Sequence, residues 1–148
     1  EEYKAWVTRL NQRVIVDPRP TTNIYWGAEL CGQCHQQQDA FWKKSRHGHA
    51  YATLVSKGKQ HDVECLACHS LAFAETRNRP ELKSVSDVTG LENVQCESCH
   101  GAGSSHNQPQ IRSLATQEST CRKCHDPKNS AHFEFKTWLP RMTCPKTR

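Results

Sequence analysis

Between Gln36 and Lys57 the chain has no proline and a single glycine, Gly48. Its apolar positions Phe41, Trp42, Tyr51 and Leu54 suit one or two helices with one inward side. Upstream, the pattern predicts a short helix through Tyr3 to Gln12, then the apolar triplet Val14-Ile15-Val16. Pro18-Arg19-Pro20 follows and forbids a continuing helix, because proline lacks the amide hydrogen and clashes with the preceding turn. Residues 70–90 are polar and interrupted by Pro80 and Gly90, which predicts a long surface loop. Residues 101–115 open with Gly101-Ala-Gly103-Ser-Ser and predict another. No segment alternates well enough for more than a short strand. The expected fold is mainly α with long irregular loops. Residues 1–26 form an N-terminal leader, and residues 27–148 form a single domain.

Composition makes that fold hard to stabilise by side chains alone. The chain has 148 residues, of which 35% are hydrophobic, and its mean hydropathy is -0.83. A chain of this size and polarity builds only a small core, so another source of buried apolar surface is expected. No run of 18 apolar residues offers a membrane span. The first residue is Glu1 and no signal-like stretch leads it, as expected of a processed or trimmed chain.

The cysteines supply the missing element. Eight of the nine fall in four pairs, each followed at once by histidine. The motifs are Cys31-Gly-Gln-Cys34-His35, Cys65-Leu-Ala-Cys68-His69, Cys96-Glu-Ser-Cys99-His100 and Cys121-Arg-Lys-Cys124-His125. Two thiols three positions apart, on roughly one helical turn, can add to the two vinyl groups along one haem edge. The adjacent histidine then reaches under the ring to the iron. Four motifs imply four haem c groups, or about 37 residues for each, and so little protein to hold each ring by burial. Cys31, Cys34, Cys65, Cys68, Cys96, Cys99, Cys121 and Cys124 are therefore the expected attachment residues. His35, His69, His100 and His125 are the expected proximal iron ligands. The fold is then organised around four covalently bound haems, with the 36–57 helices facing them.

Two other chemistries use cysteine pairs. Structural zinc and iron–sulfur sites often combine two Cys-x-x-Cys pairs, but neither needs histidine after every second cysteine. A histidine there is badly placed to share the metal of its neighbour. A disulfide inside Cys-x-x-Cys closes almost no loop and would staple nothing. The motifs recur with first cysteines at 31, 65, 96 and 121, but the sequences between them are unlike one another. The chain is thus wrapped on its cofactors and is not a solenoid.

Five further histidines, His47, His49, His61, His106 and His132, compete for the far sides of the irons. Two imidazoles on one iron keep it six-coordinate and low-spin, which favours electron transfer over substrate binding. His49 lies two positions from His47, about 200° around a helix, and is not expected to ligate with it.

Several segments resemble the tetrahaem cytochrome c-554 family. They are Tyr25-Trp26-Gly27 before the first motif, Trp42-Lys-Lys-Ser45-Arg-His47, and Val94-Gln-Cys96-Glu-Ser-Cys99-His100-Gly-Ala-Gly-Ser-Ser-His106. The closing Phe133-Glu-Phe135 with Trp138 completes a likeness over about residues 24–145. The resemblance implies a mostly helical periplasmic electron carrier, or a domain of a larger multihaem protein, with haems in closely packed pairs. It implies that His47 is the distal ligand of the haem on Cys121 and Cys124, and that His106 serves the haem on Cys31 and Cys34. It also implies a distal histidine before a proline near the C-terminus, where this chain has Met142-Thr143-Cys144-Pro145. Cys144 could supply a thiolate there, be a free or intermolecularly bonded thiol, or leave the position to His61 or His132, with Met142 the weakest candidate. The family namesake leaves the second iron five-coordinate, and His61, four residues before Cys65, is the candidate to fill that position or the open position of a neighbour.

Charge changes the partners expected. The formal charge is +5 and the isoelectric point is near 8.8. Each haem brings roughly -1 to -2 through its propionates and iron, so the loaded protein is close to neutral. Nucleic acid is not an expected partner. Lys43, Lys44, Arg46, Lys57 and Lys59 are candidates for pairing propionates or for a basic docking patch. The leading expectation is electron transfer between redox protein partners in the periplasm or outside the cell. One alternative is a small nitric oxide or nitrite reductase with a five-coordinate haem. Another is a subunit of a multihaem filament, a homo-oligomer or a membrane-associated complex.

Overall fold

The computed structural model describes residues 25–74, 88–106 and 116–146, together with Glu2, Ala5, Trp6 and Arg9. Those four leader residues are helical and exposed. The rest of the helix expected over Tyr3–Gln12, and the Val14–Val16 and Pro18–Pro20 segments, lie outside the described residues.

The described residues are mainly helical and include no strand; isolated bridges pair Ser70 with Glu92 and Asn93. The helices are α1 (Ala28–Cys34), α2 (Gln36–Lys43), α3 (Ala50–Val55), α4 (Val63–His69), α5 (Leu71–Ala74), α6 (Cys96–His100), α7 (Glu118–Arg122) and α8 (Phe135–Met142). Single 3₁₀ turns at His47–His49 and Gly103–Ser105 punctuate them. Helices this short are not stable in water by themselves, so caps and packing must hold each one. Asp62 caps α4 by accepting from the Glu64 amide at 3.0 Å. Gln95 and Ser98 form a reciprocal capping box on α6. No described helix is long and apolar enough to cross a membrane.

One small core gathers Tyr25, Leu54, Leu66, Leu71, Ala72, Phe73, Val88, Leu91 and Ala102, with Tyr51, Val63 and Cys65 packed against it. It corrects the expectation of a surface loop beginning at residue 70. Leu71, Ala72 and Phe73 form part of α5 and are buried, and Val88 and Leu91 return to the same core. A run of four apolar residues is too short for a period to identify it from sequence. Residues 75–87, with Pro80, lie outside the described residues, as do 107–115 of the second expected loop.

Backbone contacts around the bridge bring distant motifs together. The Leu71 amide donates to the Leu91 carbonyl at 2.8 Å, and the Asn93 amide donates to the His69 carbonyl at 3.1 Å. Asn93 has φ of 75°, a left-handed conformation that asparagine tolerates better than most residues. Its side chain accepts from the Tyr51 amide at 2.9 Å and so caps α3. The Val94 amide donates to the His47 carbonyl at 3.2 Å, and the Trp42 indole donates to the Val94 carbonyl at 2.7 Å. Residues 92–95 thus fasten the His47 turn to the end of the second motif.

Candidate functional site

The motifs fall on or at the ends of short helices, where one helical turn brings both thiols to one side. Cys31 and Cys34 lie on α1, Cys65 to His69 on α4, Cys96 to His100 on α6, and Cys121 on α7 with Cys124 and His125 just beyond. No two of the nine cysteines are joined by a disulfide. Thiols of different motifs also meet. Cys31 and Cys96 share a hydrogen bond, which holds Cys31 below and pushes Cys96 above the ordinary thiol range. Cys124 is pushed up to about 12, by burial first and then by Cys68, to which it is also hydrogen-bonded. Cys99 is pushed up to about 11, by burial first and then by nearby Cys121 and Cys144.

Two pairs of histidines that are remote in sequence face each other. His35 and His106 have ring centres 6.1 Å apart at 63°. His47 and His125 have ring centres 6.0 Å apart at 47°. A metal–imidazole bond is about 2 Å and the ring centre lies about 1 Å beyond the nitrogen, so two imidazoles on opposite sides of one iron stand about 6 Å apart. Both spacings fit that requirement, and direct contact between the rings would be closer. Burial holds the His47 imidazole below its ordinary range, with neighbouring His125 adding to the effect. His125 is lowered first by burial and then by Arg122. A lowered imidazole keeps its lone pair at neutral pH, as an iron ligand must.

Neighbouring groups orient two of the motif histidines. The Nδ1 of His69 lies 2.7 Å from the Ala50 carbonyl. A carbonyl can only accept, so Nδ1 carries the proton and Nε2 is left with its lone pair. Thr53 donates to the same carbonyl at 2.6 Å. His125 has its Nδ1 3.0 Å from the Ser130 hydroxyl and stacks on Phe133 with ring centres 4.3 Å apart. Arg122 lies over the other ring of that stack, 5.0 Å from the Phe133 centre.

The remaining candidates are placed differently. His100 has its imidazole lowered by burial and then by His35. His49 is exposed, with Nδ1 2.9 Å from the Ser45 carbonyl. Gly48 between His47 and His49 is required by space, since a Cβ there would come 2.5 Å from the Trp42 carbonyl oxygen. His61 is half-buried before α4, and burial lowers its imidazole. His132 is exposed in the turn before Phe133. Cys144 is half-buried, close enough to Cys96 and Cys99 to influence both. The neighbouring Pro145 carbonyl accepts from the Gln38 side chain at 2.7 Å. Among the described residues no three His, Cys, Asp or Glu side chains converge into a metal-ion site.

Sequence reasoning did not single out Glu97, Gln95, Asn93, Thr53 or Ser130. Glu97 had a signal, an acidic residue inside a haem-type motif. The others are ordinary polar residues whose partners are backbone groups brought near by folding.

Comparison with known proteins bears on the same residues. Residues 30–101 match the family described as cytochrome c554 and c-prime. This segment is similar to the cytochrome c-554 family. It contains the first three Cys-x-x-Cys-His motifs and His47, whereas His106 and the fourth motif lie beyond it. Cytochrome c-554 of Nitrosomonas europaea is 28% identical over 92 residues, covering 52% of this chain and 38% of that relative. The chain therefore spans less than half the length of that cytochrome. No solved structure matches. The similarity to that family supports haem c, iron and electron transport, and the helical architecture agrees with it.

Proposed function

We propose that this chain is a tetrahaem electron carrier working outside the cytoplasm, with redox proteins as donor and acceptor. The observation that carries the proposal is the pair of 6 Å histidine spacings, each joining a motif histidine to one far away in sequence. The haems supply one-electron chemistry at iron. The protein's part is attachment through the eight motif thiols, ligation by imidazole and control of imidazole orientation. His35 with His106, and His125 with His47, would each hold an iron from both sides. Such irons change little in geometry between oxidation states, which favours transfer over binding of small molecules.

His69 and His100 would be the remaining motif ligands, with His69 presenting Nε2 because Ala50 holds Nδ1–H. His61, His132 and Cys144 are the candidates for their far sides. The contacts of Cys31 with Cys96, and of Cys68 with Cys124, support two pairs of adjacent attachment edges. The first and third haems would form one pair, and the second and fourth the other. Adjacent edges suit electron exchange within each pair. The 27–148 region, with Tyr25 and Trp26 packed onto it, would act as one cofactor-bearing unit.

Mass determination of the loaded protein, joined to low-temperature electron paramagnetic resonance, tests this directly. Four covalent haems and at least two low-spin bis-histidine signals are expected. His47→Ala and His106→Ala should each convert one signal to high-spin. Fewer than four haems, or unchanged spectra in both variants, would overturn the proposal.

A further inference from the structure

We propose that Glu97 is a positioning residue: its buried carboxylate seats the His106 turn over His35, linking the third haem motif to the far side of the first haem. This rests on the reading of His106 as an iron ligand. Glu97 is only 5% exposed, and a buried carboxylate is costly unless its oxygens are well supplied with donors. Three backbone amides supply them. Gly103 donates to Oε1 at 2.6 Å, Gly27 donates to Oε2 at 2.8 Å, and Trp26 donates to both oxygens at 3.0 and 3.1 Å.

The three donors come from both parts of the first haem site. Trp26 and Gly27 lead into α1, whose end presents His35. Gly103 opens the 3₁₀ turn that ends at His106, and the His106 amide donates to the Gly103 carbonyl at 2.8 Å. The Trp26 ring closes the seat, with its centre 6.3 Å from that of His106. Glu97 itself sits on α6, between Cys96 and Cys99. One side chain thus holds the 6.1 Å spacing from a helix that belongs to another motif.

Space at Gly103 supports the assignment. A Cβ there would fall 2.6 and 2.7 Å from Trp26 ring carbons and 2.9 Å from Glu97 Oε1. The backbone approaches the carboxylate as closely as it does only because residue 103 has no side chain. Gln95 reinforces the junction, accepting from the Ala28 amide at 2.6 Å and donating to the Gly90 and Glu92 carbonyls.

The test uses the haem-loaded protein. Glu97→Gln keeps the side-chain shape but replaces one accepting oxygen with a donor that opposes the backbone amides. It should convert a single haem from low-spin to high-spin and let the reduced protein bind one equivalent of carbon monoxide more than the unaltered protein does. Added imidazole should restore the low-spin signal, and the other haems should keep their spectra. His106→Ala should give the same spectrum, and the double variant should add nothing to it. If His106→Ala produces one high-spin haem but Glu97→Gln leaves every haem low-spin, the seat is overturned while the ligand assignment survives. If His106→Ala itself changes no haem, the ligand assignment fails first. Should Glu97→Gln not accumulate, Gly103→Ala disturbs the same seat from the other side. The same single-haem change is then expected, and an unaltered spectrum would overturn the proposal.

Discussion

The regions 25–106 and 116–146 are built by different means. The first has an ordinary if small core, with Leu66 and Ala72 fully buried and Leu71 nearly so. Its motif helices are tied by buried hydrogen bonds from Glu97 and Gln95. The second contributes none of the buried core residues. Its contacts are local, such as the stack of His125 on Phe133 and the exposed pair of Arg122 with Glu118 at 2.9 Å. What joins it to the rest includes groups that haem would use: Cys124 beside Cys68, Cys121 beside Cys99, and His125 facing His47. The first region can approach its fold by apolar burial, whereas on the proposed haem assignment the second would depend on its cofactor for order.

The sharpest way to break this comparison is to withhold haem. In chains produced without attachment, limited proteolysis followed by mass analysis should cut within 116–146 at least about tenfold faster than within 50–74, because local opening tracks the density of buried contacts. Equal rates would mean that both regions depend on haem alike. Next in size is a core truncation. Leu66→Ala removes a side chain with no exposed surface and should cost about 2–5 kcal/mol in denaturant unfolding of the loaded protein. Glu118→Ala breaks only an exposed helix pair and should cost about 0.5 kcal/mol or less. Comparable losses from the two substitutions would remove the distinction between the regions.

The contrast also explains which features were legible in the sequence. The motif histidines and cysteines stand out in the sequence because thioether attachment would require a fixed spacing inside five residues, and the structure sets them on or beside short helices. The helices after the first motif were legible too, since Phe41, Trp42, Tyr51 and Leu54 mark one side of the chain. The partners His106 and His47 came from resemblance to a family, as no local pattern relates a histidine to an iron attached 70 or more residues away. The inward turn of Leu71 to Phe73 escaped because the four apolar residues Leu71 to Ala74 are too few to carry a periodic signal. The seat made by Glu97 escaped for a deeper reason. Its partners are amides, which every non-proline residue possesses, so only the folded geometry distinguishes Gly103 and Gly27 from other glycines.

The histidines of the two regions differ in what supports Nδ1, and that difference gives a smaller effect. His69 is held by a backbone carbonyl, which no side-chain substitution removes. His125 is held by a hydroxyl, which Ser130→Ala does remove. Were Nε2 on iron as proposed, Nδ1–H would donate to Ser130, and this bond would make the imidazole a more basic ligand. Its loss should raise the reduction potential of one haem, through an interaction worth about 1 kcal/mol, and leave the other haems in place. Redox titration followed by absorbance would read the change. A fall in that potential would mean that the hydroxyl does not accept from this histidine.

The smallest expected effect lies in the turn that carries Ser130. Asp126 accepts from the Asn129 amide at 2.7 Å and from its side chain at 2.9 and 3.0 Å. The hydrogen bond from the Asn129 amide, then that from its side chain, holds the Asp126 carboxyl below its ordinary range. A depressed folded value means that the unfolded chain binds the proton more readily. The turn's stabilisation is therefore present above the unfolded carboxyl range and fades as pH falls through the folded value. Asn129→Ala should bring the folded carboxyl back toward its unfolded value and reduce this acid-dependent part of the stability. Because Asp126 is partly exposed, solvent screens the effect and only a slight shift of the acid unfolding midpoint is expected. The same substitution should loosen Ser130, so its redox titration should move in the direction of Ser130→Ala and by less. A larger movement from Asn129→Ala than from Ser130→Ala would show that the turn, rather than the hydroxyl, sets the His125 ring.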